Sequence, residues 1–324
     1  MEKYALNKQI GIKSDKIYLV NDYLFYSRGA EKIMINLTDR IKFIEAPNGG
    51  RFPYCHCLLI EDEIRVLIDS SFGKENLEQL IKKPVDLIVN SHFHEDHILN
   101  NYHFPDAAVW AHSLDAPAIR SLDTFLDYYG FKDFDGEQIG WDFIESIDLH
   151  ASPVHREFED GDTLDFGHVN LQVIHTPGHT PGHCAFYEDK SGLLFSADID
   201  LSGFGPWYSH ICSNLDDFIV SIKKCIELKP QIIVSCHKGI IQEDIPGRLQ
   251  KYLDVIFRKE EQIVNALQSP MTLEELTAKQ IIYGEKTKLD PFLRVFEKMG
   301  AYQHLQRLIS LNQVDQSGEV YFLK

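Results

Sequence analysis

His92-Phe93-His94-Glu95-Asp96-His97 sets four metal-ligand side chains, His92, His94, Asp96 and His97, within six consecutive positions. Imidazole nitrogens and a carboxylate at this density form a donor set for a divalent cation. The preceding apolar run, Pro84-Val85-Asp86-Leu87-Ile88-Val89-Asn90, reads as a short strand. The ligands then fall on the loop at its carboxyl end, where open α/β sheets build their sites. His92 and His94 stand two apart, which in extended chain puts both imidazoles on one side. Asp96 and His97 follow where the chain turns toward a helix and can face a second position. The spacing predicts that one loop serves two metals.

Three later strand ends carry further donors. His175-Thr176-Pro177-Gly178-His179-Thr180-Pro181-Gly182-His183 follows the apolar run 169–174, and its Pro-Gly pairs make tight turns that can aim a histidine inward. Asp198 ends the run Leu193-Leu194-Phe195-Ser196-Ala197, and His237 ends Ile232-Ile233-Val234-Ser235-Cys236. Seven suitable side chains at four strand ends make metal binding the expectation. Lone histidines such as His56, His112, His210 and His304 read instead as satisfied polar groups. Cys55 and Cys57 share one strand face with His56 opposite, a weak signal for another metal site.

These four elements, in this order, resemble the metallo-β-lactamase superfamily over roughly residues 17–245. Its pattern is a His-x-His-x-Asp-His loop, a later Thr-Pro-Gly-His turn, a bridging Asp and a last His. The resemblance implies a first metal held by His92, His94 and His179, a second held by Asp96, His97 and His237, and Asp198 bridging both. His175 and His183 then support the turn. It further implies an αββα sandwich. Two divalent cations, zinc by preference with Mn or Fe as alternatives, lower the pKa of a shared water so that hydroxide attacks a carbonyl at neutral pH. Asp198 fixes the metal spacing, and Asp96 can pass a proton to the leaving group. The expected activity is hydrolysis of a carboxylic ester, lactone or thioester. The alternatives are a non-catalytic metal-binding regulatory protein and a nuclease. His94, where the oxygen-reducing flavodiiron relatives carry Glu, points away from that branch. Leu201 stands where lactonases of the superfamily commonly carry Tyr.

The elements that must position these residues are legible in outline. Strands are predicted at 16–25, 32–37, 42–45, 54–60 and 65–68, with a helix over 74–82 before the motif strand. A second half repeats the theme, with strands beginning at Val169, Cys184 and Leu193 and a helix over 215–227. The 324 residues suggest a catalytic domain over 1–245 and a smaller module over 246–324. The module shows a helical stripe at 248–267, a capping-box signal at Thr272-Leu273-Glu274-Glu275, a helix start at Asp290-Pro291 and a hairpin over 314–322. Helices followed by a hairpin resemble the winged-helix-like tail of some superfamily members.

Charge and composition narrow the partners. Through Gly247 the chain carries 21 Lys and Arg against 39 Asp and Glu, a formal net of −18. Phosphate contacts need cations, so nucleic acid is not an expected partner. The first residues lack an apolar signal core and no stretch reaches a membrane span, which predicts a cytoplasmic protein without membrane association. β-Lactam hydrolysis, usually an exported activity, is disfavoured for the same reason. Six cysteines without zinc-ribbon spacing read as core thiols. The module is expected to pack against the catalytic domain or a second subunit, so the partners expected are a small-molecule substrate and, in the second case, another copy in a homodimer.

Two segments are candidates for substrate selection. Residues 115–148 are rich in aromatics, which fit either a lid or a core helix. They also carry nine acids against Arg120 and Lys132, which would repel anionic thioesters. Gly203-Phe204-Gly205-Pro206-Trp207-Tyr208, just past Asp198, is the candidate pocket wall. Phe204 and Trp207 would contact substrate, and Tyr208 would donate to an oxyanion.

Overall fold

The computed structural model describes residues 34–134 and 136–324. The strand predicted at 16–25 lies outside them. Strands β1 (Met34–Asn36), β2 (Ile41–Ile44), β3 (Cys57–Glu61) and β4 (Arg65–Ile68) form an antiparallel meander. Helix α1 (Lys74–Leu80) leads to β5 (Leu87–Val89), which pairs parallel with β4. All three β5 residues are buried, as expected of a strand covered on both faces. After the short helix α2 (Glu95–Ile98), β6 (Ala108–His112) and β7 (Arg156–Phe158) complete a seven-stranded sheet in sequence order.

Between β6 and β7 lie α3 (Ala116–Arg120), α4 (Leu122–Tyr129) and α5 (Glu137–Ile147). Phe125, Tyr129, Phe131 and Phe134 of this stretch are buried in the main hydrophobic core, and Asp115 is fully buried at its start. Most of the aromatics therefore anchor the segment in the core. Ser121 caps α4 by accepting from the Thr124 amide, and Gly130 ends it in the left-handed conformation.

The second sheet comprises β8 (Thr163–Asp165), β9 (Asn170–His175), β10 (Cys184–Glu188), β11 (Leu193–Ala197), β12 (Ile232–Ser235) and β13 (Gly239–Ile241). Their order is β13-β12-β11-β10-β9-β8, antiparallel except for the parallel pair β11–β12, which α6 (Leu215–Leu228) connects. One core lies between the sheets, joining Leu58, Val66 and Ile88 to Phe186 and Phe195. A second core lies on the outer face of the second sheet, where Leu194 and Ile233 meet Phe218 of α6.

That second core continues into α7 (Ile245–Ala266), β14 (Met271–Thr272), α8 (Leu273–Thr277), α9 (Pro291–Ser310) and the hairpin β15 (Val314–Ser317) and β16 (Val320–Leu323). Both helix starts expected here are present. Thr272 and Glu275 form a reciprocal capping box, and the Asp290 carboxylate accepts from the Leu293 amide ahead of Pro291. Leu249, Ile256, Leu305 and Leu308 are fully buried together with residues of the second sheet.

Candidate metal centre

Each donor sits just past the carboxyl end of a strand, and two sheets pointing the same edge at one another bring these ends together. β5 supplies the loop of His92, His94, Asp96 and His97; β9, β11 and β12 supply His179, Asp198 and His237. The turn carrying His179 is held against the start of α6. Gly178, at φ +122°, packs so closely there that a Cβ would lie 2.2 Å from the Phe218 nitrogen, so only glycine fits.

The structure gathers the seven side chains into two adjoining sets. His92, His94, His179 and Asp198 offer ligand atoms within 4.8 Å of one another, and so do Asp96, His97 and His237. In the first set His179 Nε2 lies 3.3 Å from His92 Nε2 and 2.9 Å from His94 Nδ1. In the second, His237 Nε2 is 3.6 Å from Asp96 Oδ2. Asp198 faces both. Its Oδ2 is 3.3 Å from His179 Nε2, while its Oδ1 is 3.0 Å from His97 Nε2 and 3.3 Å from His237 Nε2.

These residues fit a bound cation. His97 Nε2 and Asp198 Oδ1 are buried 3.0 Å apart, yet neither has a partner with hydrogen-bond geometry, an arrangement that an ion between them would satisfy. His92 and His94 are neutral, because burial and then neighbouring histidines hold their pKa well below the usual value. Burial would lower His97 as well, but Cys55, Asp198, Asp69 and Asp96 raise it well above the usual value. Burial opposes charge on His237 too, yet Asp198, Asp96 and Asp200 push its pKa up to about 10. Without a metal, protons on these two rings balance the carboxylates; a cation takes over that task.

The far nitrogen of each ring is anchored, which fixes its tautomer and its aim. His97 Nδ1 donates to Asp69 at 2.8 Å, and His92 Nδ1 donates to Ser91 Oγ, which donates on to Asp69. His179 Nδ1 donates to the Trp207 carbonyl at 2.7 Å, and His237 Nδ1 to the Gly50 carbonyl. A Cβ at Gly50 would meet the Cys236 carbonyl at 2.6 Å and the His56 ring at 2.7 Å. His94 Nε2 meets His210 Nε2 at 2.7 Å.

The sequence alone does not mark this outer layer: His210 reads as a satisfied polar group, and Ser91 and Gly50 carry no motif. Asp69 did carry a signal, since like Asp198 it is an acid directly after an apolar strand. His183 and His175 stand outside both sets. His183 Nε2 accepts from the Asp198 amide at 3.1 Å while its Nδ1 contacts Thr176, so it holds the bridging residue as well as the turn. His175 Nε2 donates to the Pro181 carbonyl within the turn. Asp115 braces both loops, accepting from the Phe93 and Gly182 amides and the Thr180 hydroxyl.

The expected pocket wall divides. The Trp207 ring lies 5.4 Å from that of His94 and 5.4 Å from Phe296 of α9, and its indole donates to the Tyr283 hydroxyl at 3.0 Å. Phe204 packs beside Tyr283 and under the Lys259 ammonium. Tyr208 is 1% exposed, and its hydroxyl is taken by His304 Nε2 at 2.8 Å. Cys55 and Cys236 do gather near Asp69 and His97, whereas His56 Nδ1 instead accepts from the Ala46 amide.

Comparison with known proteins agrees with this geometry. A family model of the metallo-beta-lactamase superfamily matches residues 50–237, a span that contains all seven donors. The beta-lactamase-like protein 2 homolog of Drosophila melanogaster is 27% identical over 233 residues, 68% of this chain and 71% of that protein. Acyl-coenzyme A thioesterase MBLAC2 of Gallus gallus is 27% identical over 205 residues, 58% of this chain and 69% of that protein. The crystal structure of a metallo-beta-lactamase family protein from Thermus thermophilus superposes with a TM-score of 0.73 at 22% identity, covering 89% of this chain and 100% of that one.

Proposed function

The chain belongs to the metallo-beta-lactamase superfamily, and from that premise we propose that it is a dinuclear metal-dependent hydrolase of a carboxylic thioester or ester. The observation that carries this reading is the placement of Asp198, one carboxylate oxygen in each donor set. His92, His94 and His179 would hold the first cation and Asp96, His97 and His237 the second, with Asp198 reaching both, and the nitrogen-rich donors favour zinc. When bound, the pair supplies a water acidified to near neutrality and a Lewis acid for the carbonyl.

The protein's own groups do the rest. Asp96, buried beside His97 and His237, would bind as a carboxylate, and its other oxygen is placed to take a proton from the attacking water and pass it to the leaving group. Tyr129 donates to Glu95 at 2.6 Å and closes the loop between the ligands on that side. Trp207, set between His94 and Phe296, supplies an apolar surface for the acyl group. The thioesterase relative supports a thioester substrate. The acidic surface favours a neutral or amphipathic one. In this reading residues 246–324 form a helical, winged-helix-like module packed on the outer core of the second sheet.

The test is a panel of acyl thioesters, esters, lactones, phosphodiesters and β-lactams with zinc-, manganese- and iron-loaded protein. Each thioester is offered with a neutral and an anionic thiol. Hydrolysis of thioesters or esters that is lost on chelation is expected. Turnover of phosphodiesters alone, or of nothing in the panel, sinks the reading.

A further inference from the structure

His210 lies outside both donor sets yet is fully buried against the first one. Its hydrogen bonds form a directed chain. His94 Nδ1 faces His92 and His179, so the proton of its neutral ring sits on Nε2, which donates to His210 Nε2 at 2.7 Å. His210 must then carry its own proton on Nδ1, which donates to Ser213 Oγ at 2.6 Å. The Ser213 hydroxyl in turn donates to the carbonyl of His179 at 3.0 Å. Two first-set donors 85 positions apart in sequence are thereby joined behind the metal position through two side chains. The backbone of this segment is itself pinned, because Gln303 of α9 donates to the His210 carbonyl at 2.6 Å.

We infer that His210, through Ser213, is a positioning residue that locks the tautomer and aim of His94 and ties His94 to His179, so setting the affinity of the first metal position. The role rests on the assignment of His92, His94 and His179 as ligands. It also gives α9 a task, since that helix holds the segment from which His210 reaches the centre. Among the described residues His94 Nε2 has no other hydrogen-bond partner, so replacing His210 leaves that N–H without an acceptor.

The test measures binding of zinc or cobalt by competition with a chelator, in a His237→Ala background that leaves the first donor set to hold one ion. His210→Phe keeps the ring volume between Phe93, Tyr129 and Trp207 but offers no acceptor; it should release the ion about 10- to 100-fold more readily. His210→Gln keeps an acceptor near the position of Nε2 and should recover most of the affinity. The cobalt spectrum should shift in His210→Phe and stay near wild type in His210→Gln. Equal affinity in the parent and His210→Phe overturns the proposal, as does a loss in His210→Gln as large as in His210→Phe. A parent that binds no ion overturns the ligand assignment itself. Turnover plays no part in the measurement, so a failed substrate panel is a separate result.

Discussion

At the scale of single residues, the centre is a set of opposing charges whose balance changes when a cation enters. Close to two metals per chain are expected, and His92→Ala and Asp198→Ala should each lower that content and abolish turnover. Elemental analysis showing full occupancy in either variant refutes the assignment. His179→Ala should lose far more metal than His175→Ala, whose ring bonds within the turn. The pH dependence follows from His237. Its pKa in the metal-free protein is raised to about 10, so its contribution to stability is complete below the unfolded value of about 6.5 and fades as pH rises through about 10. Chelated protein should therefore lose stability on going from neutral to alkaline pH, and metal uptake at neutral pH should expel protons. Calorimetry in buffers of different ionisation enthalpy measures that release; uptake without it would contradict a protonated His237 in the metal-free protein.

At the scale of elements, the donors were legible in sequence because each follows a buried strand, a local pattern readable without knowing the fold. Their anchors were not. Asp69 and His97 are 28 positions apart and meet because β4 pairs with β5, whereas His94 and His210 are 116 apart and meet only because the two sheets do. His210, between Ser209 and Ile211, has no period or motif to mark it. The candidate pocket wall has a local and a non-local part. An aromatic run after Asp198 was visible, but whether Trp207 or Tyr208 turned toward the donors depended on α9, whose Phe296 packs on Trp207 while His304 takes the Tyr208 hydroxyl. If Trp207 contacts the acyl group, Trp207→Ala costs on the order of 1 to 3 kcal/mol of transition-state binding. That is a fall of about ten- to a hundredfold in kcat/KM for apolar acyl groups, with little change for acetyl. Metal content should stay intact, because the main-chain carbonyl still holds His179. Equal losses for both substrate classes would assign the indole to the fold instead.

At the scale of the whole molecule, charge and topology set what the centre can meet. The formal net of −18 through Gly247 predicts no affinity for RNA or duplex DNA even at low salt, where electrostatic binding is strongest. The hairpin and helices of residues 246–324 do not offset this. Arg307 is bound by Glu260 and Asp216, and His304 is fully buried with its pKa lowered, chiefly by burial. Mobility-shift retardation that fades steeply with added salt would overturn the prediction. No helix of the described residues is long and apolar enough to cross a membrane.

The division of donors between the two sheets also has a consequence for the protein's biogenesis. The first four belong to the loop after β5, but the last, His237, is made only after nearly three quarters of the chain. Between His97 and His237 a nascent polypeptide thus carries only part of the donor set. A complete donor set exists only once His237 has joined the folded second sheet, and loading after that point would leave the choice of ion to the metals then available. Expression in media of different metal supply should accordingly change the occupant, while apo-protein refolded and then exposed to one chosen cation should take up that cation.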